Sequence, residues 1–188
     1  MATPTYMQDN NADLVRLIKD GAIFIRETGA TAPTGLEWEP GDSDGKLGYY
    51  GEDGFVLTPV TGDSTDFTAH NGDIVHSEQS PGNWTLGFSA LEANEQNAEA
   101  YFDTEVGVDG EITVTSAAAS KYYDIVTVGL DQNDDLALVH YPRVQISERE
   151  ALNFNRTSLL AYGMTFRTFR GGTDAPYHFR AWGLVKTA

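Results

Sequence analysis

The stretch Trp84-Thr85-Leu86-Gly87-Phe88-Ser89-Ala90 decides how the rest of the chain is read. Trp84, Leu86, Phe88 and Ala90 alternate with Thr85, Gly87 and Ser89, so an extended backbone has one apolar face and one small, polar face. That two-residue period predicts a half-buried β-strand. Just upstream, Thr65–His70 and Ile74–Gln79 flank Asn71-Gly72, a two-residue hairpin signal, and Ser80-Pro81-Gly82-Asn83 supplies a second turn. Just downstream the period changes. Asn94 suits an N-cap, Asn97 stands at the third position, Glu95 complements the helix dipole, and helix formers run to about Phe102. This predicts a short helix with Leu91, Ala98, Tyr101 and Phe102 as its apolar stripe.

Toward the N-terminus, Ala22–Glu27 is a compact β run. Leu14, Leu17 and Ile18 have helical spacing, which predicts a short helix over Ala12–Asp20 ended by Gly21, with residues 1–20 as an arm and 21–188 as the main domain. Thr28–Lys46 contains Gly29, Pro33, Gly35, Pro40, Gly41 and Gly45 and reads as a long loop, here placed at about 28–46. Such loops in compact domains are usually functional or disordered. This one sets Leu36 and Trp38 among Glu37, Glu39, Asp42 and Asp44, a pattern suited to docking. Leu47–Tyr50 and Phe55–Thr58 read as two short strands around Gly51–Gly54. Toward the C-terminus the expected strands are Glu111–Thr115, Tyr122–Leu130, Leu136–Tyr141, Val144–Ser147, Thr157–Phe169 and Tyr177–Val185. About ten short strands with one internal helix predict a mainly β fold, a sandwich or barrel.

The chain has 188 residues, a formal net charge of −16 and no cysteine. The last point excludes disulfides, thiol catalysis and thiolate metal sites. The charge is uneven: residues 1–120 carry 21 acidic and 4 basic side chains, residues 121–188 carry 7 and 8. Nucleic-acid readers neutralise phosphate with Lys and Arg, so this balance argues against one. No segment approaches the roughly 20 apolar residues of a membrane span. The polar stretch Met1–Asn11 lacks the order of a secretion signal, which predicts a chain made and kept in a cytoplasm.

Signatures of chemistry are missing. No phosphate loop, dinucleotide fingerprint or nucleophile elbow is present. Asp42/Asp44 precede Gly45 with calcium-loop spacing but have Pro40 at the first position and Gly51 at the twelfth, and Asp131/Asn133/Asp135 have Leu136 for the glycine and Pro142 for the last carboxylate, so both fail. His70, His76, His140 and His178 form no ligand cluster. No catalytic residue, cofactor or metal is expected. This profile suits a structural or assembly protein better than an enzyme.

Four segments in order carry a resemblance: Gly21–Gly35 (GAIFIRETGATAPTG), Leu47–Phe55 (LGYYGEDGF), His70–Val75 (HNGDIV) and Leu86–Phe102 (LGFSALEANEQNAEAYF). Together they resemble major tail proteins, the tail tube subunits of long-tailed, non-contractile bacteriophages, especially those of actinobacterial hosts. His70 and Asn71 depart from the family's aromatic-Gly turn. The resemblance implies a β-sandwich with a flanking helix, six copies to a ring, and sheets joined into one continuous inner barrel. It implies a virion protein assembled in the host bacterial cytoplasm. Its expected partners are further copies of itself, a tape measure protein, a tail terminator and distal tail proteins. The resemblance further implies that DNA passes through the lumen without specific binding, and an acid-lined wall would repel it. On this reading Leu36, Glu37, Trp38, Glu39, Asp42 and Asp44 belong to an assembly loop. Arg143, Arg149, Arg156, Arg167 and Arg170 are expected to meet acids of neighbouring subunits. The alternatives are a tail terminator or connector of the same fold, or a β-rich carbohydrate-binding phage protein using Trp38, Trp84 and Trp182.

Overall fold

A computed structural model describes residues 10–186. Ten strands and one helix follow in order: β1 (Ile18–Glu27), β2 (Gly45–Lys46), β3 (Tyr50–Val60), β4 (Ser64–Thr68), β5 (Ile74–Gln79), β6 (Asn83–Ala90), α1 (Glu95–Phe102), β7 (Tyr123–Asp131), β8 (Leu136–Arg149), β9 (Tyr162–Thr168) and β10 (Arg180–Trp182). Eight of the strands form one antiparallel sheet in the order β2-β1-β7-β8-β9-β6-β3, with β10 also on β8. β4 and β5 form a separate hairpin.

The long strand β8 is the hinge of this sheet. Its first half pairs with β7 on one side and β10 on the other, and its second half pairs with β9. Pro142, which has no N–H to donate, sits where the β7–β8 register slips, between Ile125↔Tyr141 and Tyr123↔Val144. Bent there, the sheet folds over itself. One core therefore collects Ile23 of β1, Leu86 and Phe88 of β6, Ile125 of β7, Tyr141 and Val144 of β8, and Met164 and Phe166 of β9. The two ends of the sheet come together where Gly21 of β1 faces Tyr50 of β3. A Cβ on Gly21 would lie 2.8 Å from the Tyr50 hydroxyl and 2.5 Å from the Val128 carbonyl oxygen, so only glycine allows this approach. The result is the expected mainly β, sandwich-like and nearly closed fold with one flanking helix.

The predicted helix α1 forms as read. The Asn94 side chain accepts the Asn97 backbone N–H at 2.9 Å, and Asp103 in the left-handed region ends the helix. Its buried face differs from the expected stripe: Asn97 is inside with Ala98, Ala100 and Tyr101. The Asn97 amide donates to the carbonyls of Leu47 and Glu92, both at 2.8 Å, and so ties the helix to the chain beneath it. β6 also forms as read, with Leu86, Phe88 and Ala90 buried.

Several expectations are corrected. No helix covers Ala12–Asp20; a single 3-10 turn spans Ala12–Leu14 and β1 already begins at Ile18. Pairing along β7 outweighs helical spacing in so short a segment. Of the strand read at Leu47–Tyr50 only Tyr50 is extended in the sheet, and it belongs with Phe55–Thr58 to one element, β3, in which Gly51–Gly54 bulge opposite Ser89 rather than turn. Likewise Leu136–Tyr141 and Val144–Ser147 are parts of β8, because a bulge absorbs Pro142. The Asn71-Gly72 hairpin exists, but Ala69 donates to the Asp73 carbonyl and closes a three-residue loop. Glu111–Thr115 contributes only the bridge Val106↔Ile112. Thr157–Phe169 shortens to β9, and Tyr177–Val185 to β10, which Gly183 ends at φ +68°.

The start of β1 is clasped to the β7–β8 turn. Gln132 donates its backbone N–H to the Leu17 carbonyl and its side-chain amide to that of Val15, and Leu17 donates to the Gln132 side chain. Asp131 lies at the centre, fully buried, accepting the backbone N–H groups of Asn133 and Asp135 and the Arg16 guanidinium. Burial alone would raise its carboxyl. The two N–H donors, Arg16 and the Lys186 charge outweigh it and lower the pKa to about 2. The calcium-like spacing of Asp131, Asn133 and Asp135 is thus a turn cap. A carboxylate whose folded pKa is depressed stabilises the fold above its unfolded value of 3.8, and that contribution is lost as pH falls through about 2. Protection of the Leu17 and Gln132 amides, taken relative to the intrinsic exchange rate at each pH, is therefore expected to fall between about pH 4 and pH 2, and Asp131→Asn to remove that pH dependence.

Candidate assembly surface

The outer face of β1, β7 and β8 carries a second small core of Phe24, Val126 and Leu138, with Ala22, Val128, Trp38 and Trp182 packed on it. Trp38 comes from the long loop and Trp182 from β10, so two chain segments cover this face. Trp38 meets Phe24 edge to face at 5.5 Å and lies 5.6 Å from the Arg26 guanidinium. Leu36, 38% exposed, lines the same apolar depression with Pro40, Val128 and Leu136. The apolar residues of the loop therefore rest on the chain's own sheet, while Glu37, Glu39 and Asp42 point to solvent. The Asp44 carboxylate accepts the Gly41 N–H at 2.9 Å and closes the loop's turn.

Below Trp38 lies a buried polar chain that the sequence reading missed. Asp124, 1% exposed, accepts Arg26 through one oxygen, at 2.9 Å from Nε and 2.6 Å from Nη2. Its other oxygen is 2.8 Å from His140 Nε2, and His140 Nδ1 is 3.1 Å from the Tyr177 hydroxyl. Arg26 Nη1 donates to the Thr31 carbonyl at 3.0 Å. Burial raises the Tyr177 phenol, with Arg180 and Arg26 opposing. Every member of the chain is held by another. It joins β1, β7 and β8 to the root of the loop and to the C-terminal segment. A signal for it existed. Arg26, Asp124 and His140 all fall in the apolar phase of their strands, alongside Ala22 and Phe24, Val126 and Val128, and Leu136 and Leu138.

The five arginines lie elsewhere. Arg149 donates to the carbonyls of Tyr101 and Ala117, bracing the end of α1. Arg143 stacks 4.0 Å over Tyr122, and Arg167 lies 5.6 Å over Phe169. Arg156 and Arg170 are exposed. Among the described residues none of the five has a carboxylate within 4.0 Å, and none of the loop acids has a cation. The structure does not bring the two sets together within one chain. Trp84 packs edge to face on Phe179 at 5.2 Å, so with Trp38 and Trp182 all three tryptophans engage their own chain.

A protein-family model described as phage tail tube protein matches residues 8–182. The chain belongs to the phage tail tube protein family. No curated protein matches it. The tail tube family is structural, and the mainly β fold with one helix is consistent with it. The protein is accordingly a component of the virion's tail.

Proposed function

We propose that this tail tube protein forms hexameric rings that stack into the tube of a long-tailed, non-contractile phage and conduct the genome during ejection. The observation that carries this reading is the open edge of β3. This eleven-residue strand pairs with β6 on one side only, within the described residues. A long unpaired edge is a hazard in a monomer and is removed when neighbouring copies continue the sheet around a ring. In such a ring the sheets join as one inner barrel. The exposed loop acids Glu37, Glu39 and Asp42 and the exposed arginines Arg156 and Arg170 become partners between copies. The tape measure protein, tail terminator and distal tail proteins meet the tube at its lumen and ends. The net charge of −16 supports a lumen that repels phosphate instead of holding it. The role is non-enzymatic.

Negative-stain microscopy of the purified protein, alone and with tail partners, tests this. Rings or tubes are expected. A terminator or connector would cap tubes or form single rings without polymerising. A chain that stays monomeric with every tail partner would overturn the reading.

A further inference from the structure

Tyr122, Arg143, Phe169 and Arg167 form a continuous ladder beside the β8–β9 pairing. Arg143 lies 4.0 Å from the Tyr122 ring and 6.0 Å from that of Phe169. Arg167 lies 5.6 Å from Phe169, and the two rings meet edge to face at 5.6 Å. A guanidinium stacked by its face keeps its N–H edge free and fixed in direction, which suits bidentate capture of a carboxylate. No carboxylate of the described chain lies within 4.0 Å of either, although the chain carries 28 acids. The site is therefore preorganised for an anion that the described residues do not supply.

A complementary element stands on the same molecule. The β4–β5 hairpin leaves the main sheet and every residue of both strands is exposed. A lone two-stranded hairpin is marginally stable in water, so this one needs a surface to lie on. Residues 61–82 carry four carboxylates and no Lys or Arg. Paired residues of an antiparallel ladder share a face. The register Thr65↔Glu78 and Phe67↔His76 thus gathers Glu78 with the aromatic pair Phe67–His76, whose rings are 5.7 Å apart. That face offers one carboxylate and two flat rings, matching a ladder of two guanidiniums and two rings.

We propose that the Phe67–His76–Glu78 face of the hairpin of one copy seats on the Tyr122–Arg143–Phe169–Arg167 ladder of a second copy. This rests on the tail tube reading and specifies one of its contacts. Glu78 bridges the guanidiniums, and Phe67 extends the aromatic stack. The hairpin gains the surface it lacks, and the arginines gain their counter-charge. Protein carboxylate is favoured over nucleic-acid phosphate because the hairpin supplies both the charge and the rings, whereas a duplex backbone supplies charge alone.

The test uses the full chain carrying Arg143→Glu, Arg167→Glu or Glu78→Arg, and the pair Arg167→Glu with Glu78→Arg, each checked for an unchanged thermal melt. Each single reversal is expected to raise about tenfold or more the concentration at which rings or tubes form, and the pair to restore assembly. Because the chain has no cysteine, a Thr65→Cys protein mixed with a Gln145→Cys protein reports the contact independently. Thr65 pairs with Glu78 and Gln145 with Arg167, so a disulfide-linked heterodimer is expected on oxidation. Reversed variants that assemble like wild type, rescue of Arg167→Glu by Glu37→Arg but not by Glu78→Arg, or loss of oligonucleotide binding with assembly intact overturn this contact and leave the tube standing. A wild type that does not assemble, together with cysteine variants that yield no heterodimer, overturns both.

Discussion

Asp124→Ala is expected to lower the unfolding free energy by about 3–5 kcal/mol. Asp124 is the shared acceptor of Arg26 and His140, and all three are at most 6% exposed. Removing it strands a guanidinium and an imidazole away from water, which costs more than the intact group contributes. Equilibrium urea unfolding of dilute, unassembled protein measures the loss. Asp124→Asn keeps one acceptor and is expected to lose less. The combination Arg26→Met, Asp124→Leu and His140→Leu removes every stranded charge and is expected to recover most of the stability. Arg26 also donates to Thr31, so Asp124→Ala should expose the loop at 28–46 to protease before global unfolding. A loss below about 1 kcal/mol would show that the group does not hold β1, β7 and β8 to the loop.

Phe166→Ala is expected to cost a similar amount, about 3–5 kcal/mol, by a different route. Phe166 is wholly buried, stacked on Phe88 at 5.6 Å and edge to face with Tyr123 at 6.2 Å. It sits where β6, β7 and β9 converge under the fold of β8. Truncation leaves a cavity that the surrounding strands cannot close without breaking register. Phe166→Leu is expected to cost less. Arg167→Ala, one residue on, points outward and should change monomer stability by no more than about 0.5 kcal/mol. The contrast separates packing of the fold from any contact between copies. Thermal and urea unfolding of the three variants provide the check.

Much of this protein follows from local pattern. The alternation at Trp84–Ala90, the Asn94 cap, the Asn71-Gly72 turn and the apolar phases of β1, β7 and β9 each need only neighbours a few residues away. The absence of cysteine and the charge split between residues 1–120 and 121–188 are properties of composition alone. Where the reading failed, a distant strand decided. Val15–Leu17 is extended because Gln132, more than a hundred residues on, holds its backbone. Gly51–Gly54 looks like a turn, yet it bulges within one strand because β6 pairs on both sides of it.

The candidate surface divides in the same way. That the long loop carries Leu36 and Trp38 among acids is plain in the sequence. That Trp38 lies on Phe24, above Arg26, depends on β1 being flanked by β7 and its outer face being left for the loop to cover. Arg26, Asp124 and His140 are separated by 98 and 16 residues, and only antiparallel register sets them side by side. The sequence by itself determined a mainly β, cysteine-free, acidic chain with one capped helix, because period, capping and charge are local or additive. Only the tertiary structure decided which charges are buried together, which arginines are left without a carboxylate, and which hairpin stands uncovered, because those depend on how one sheet bends at Pro142 and closes on itself.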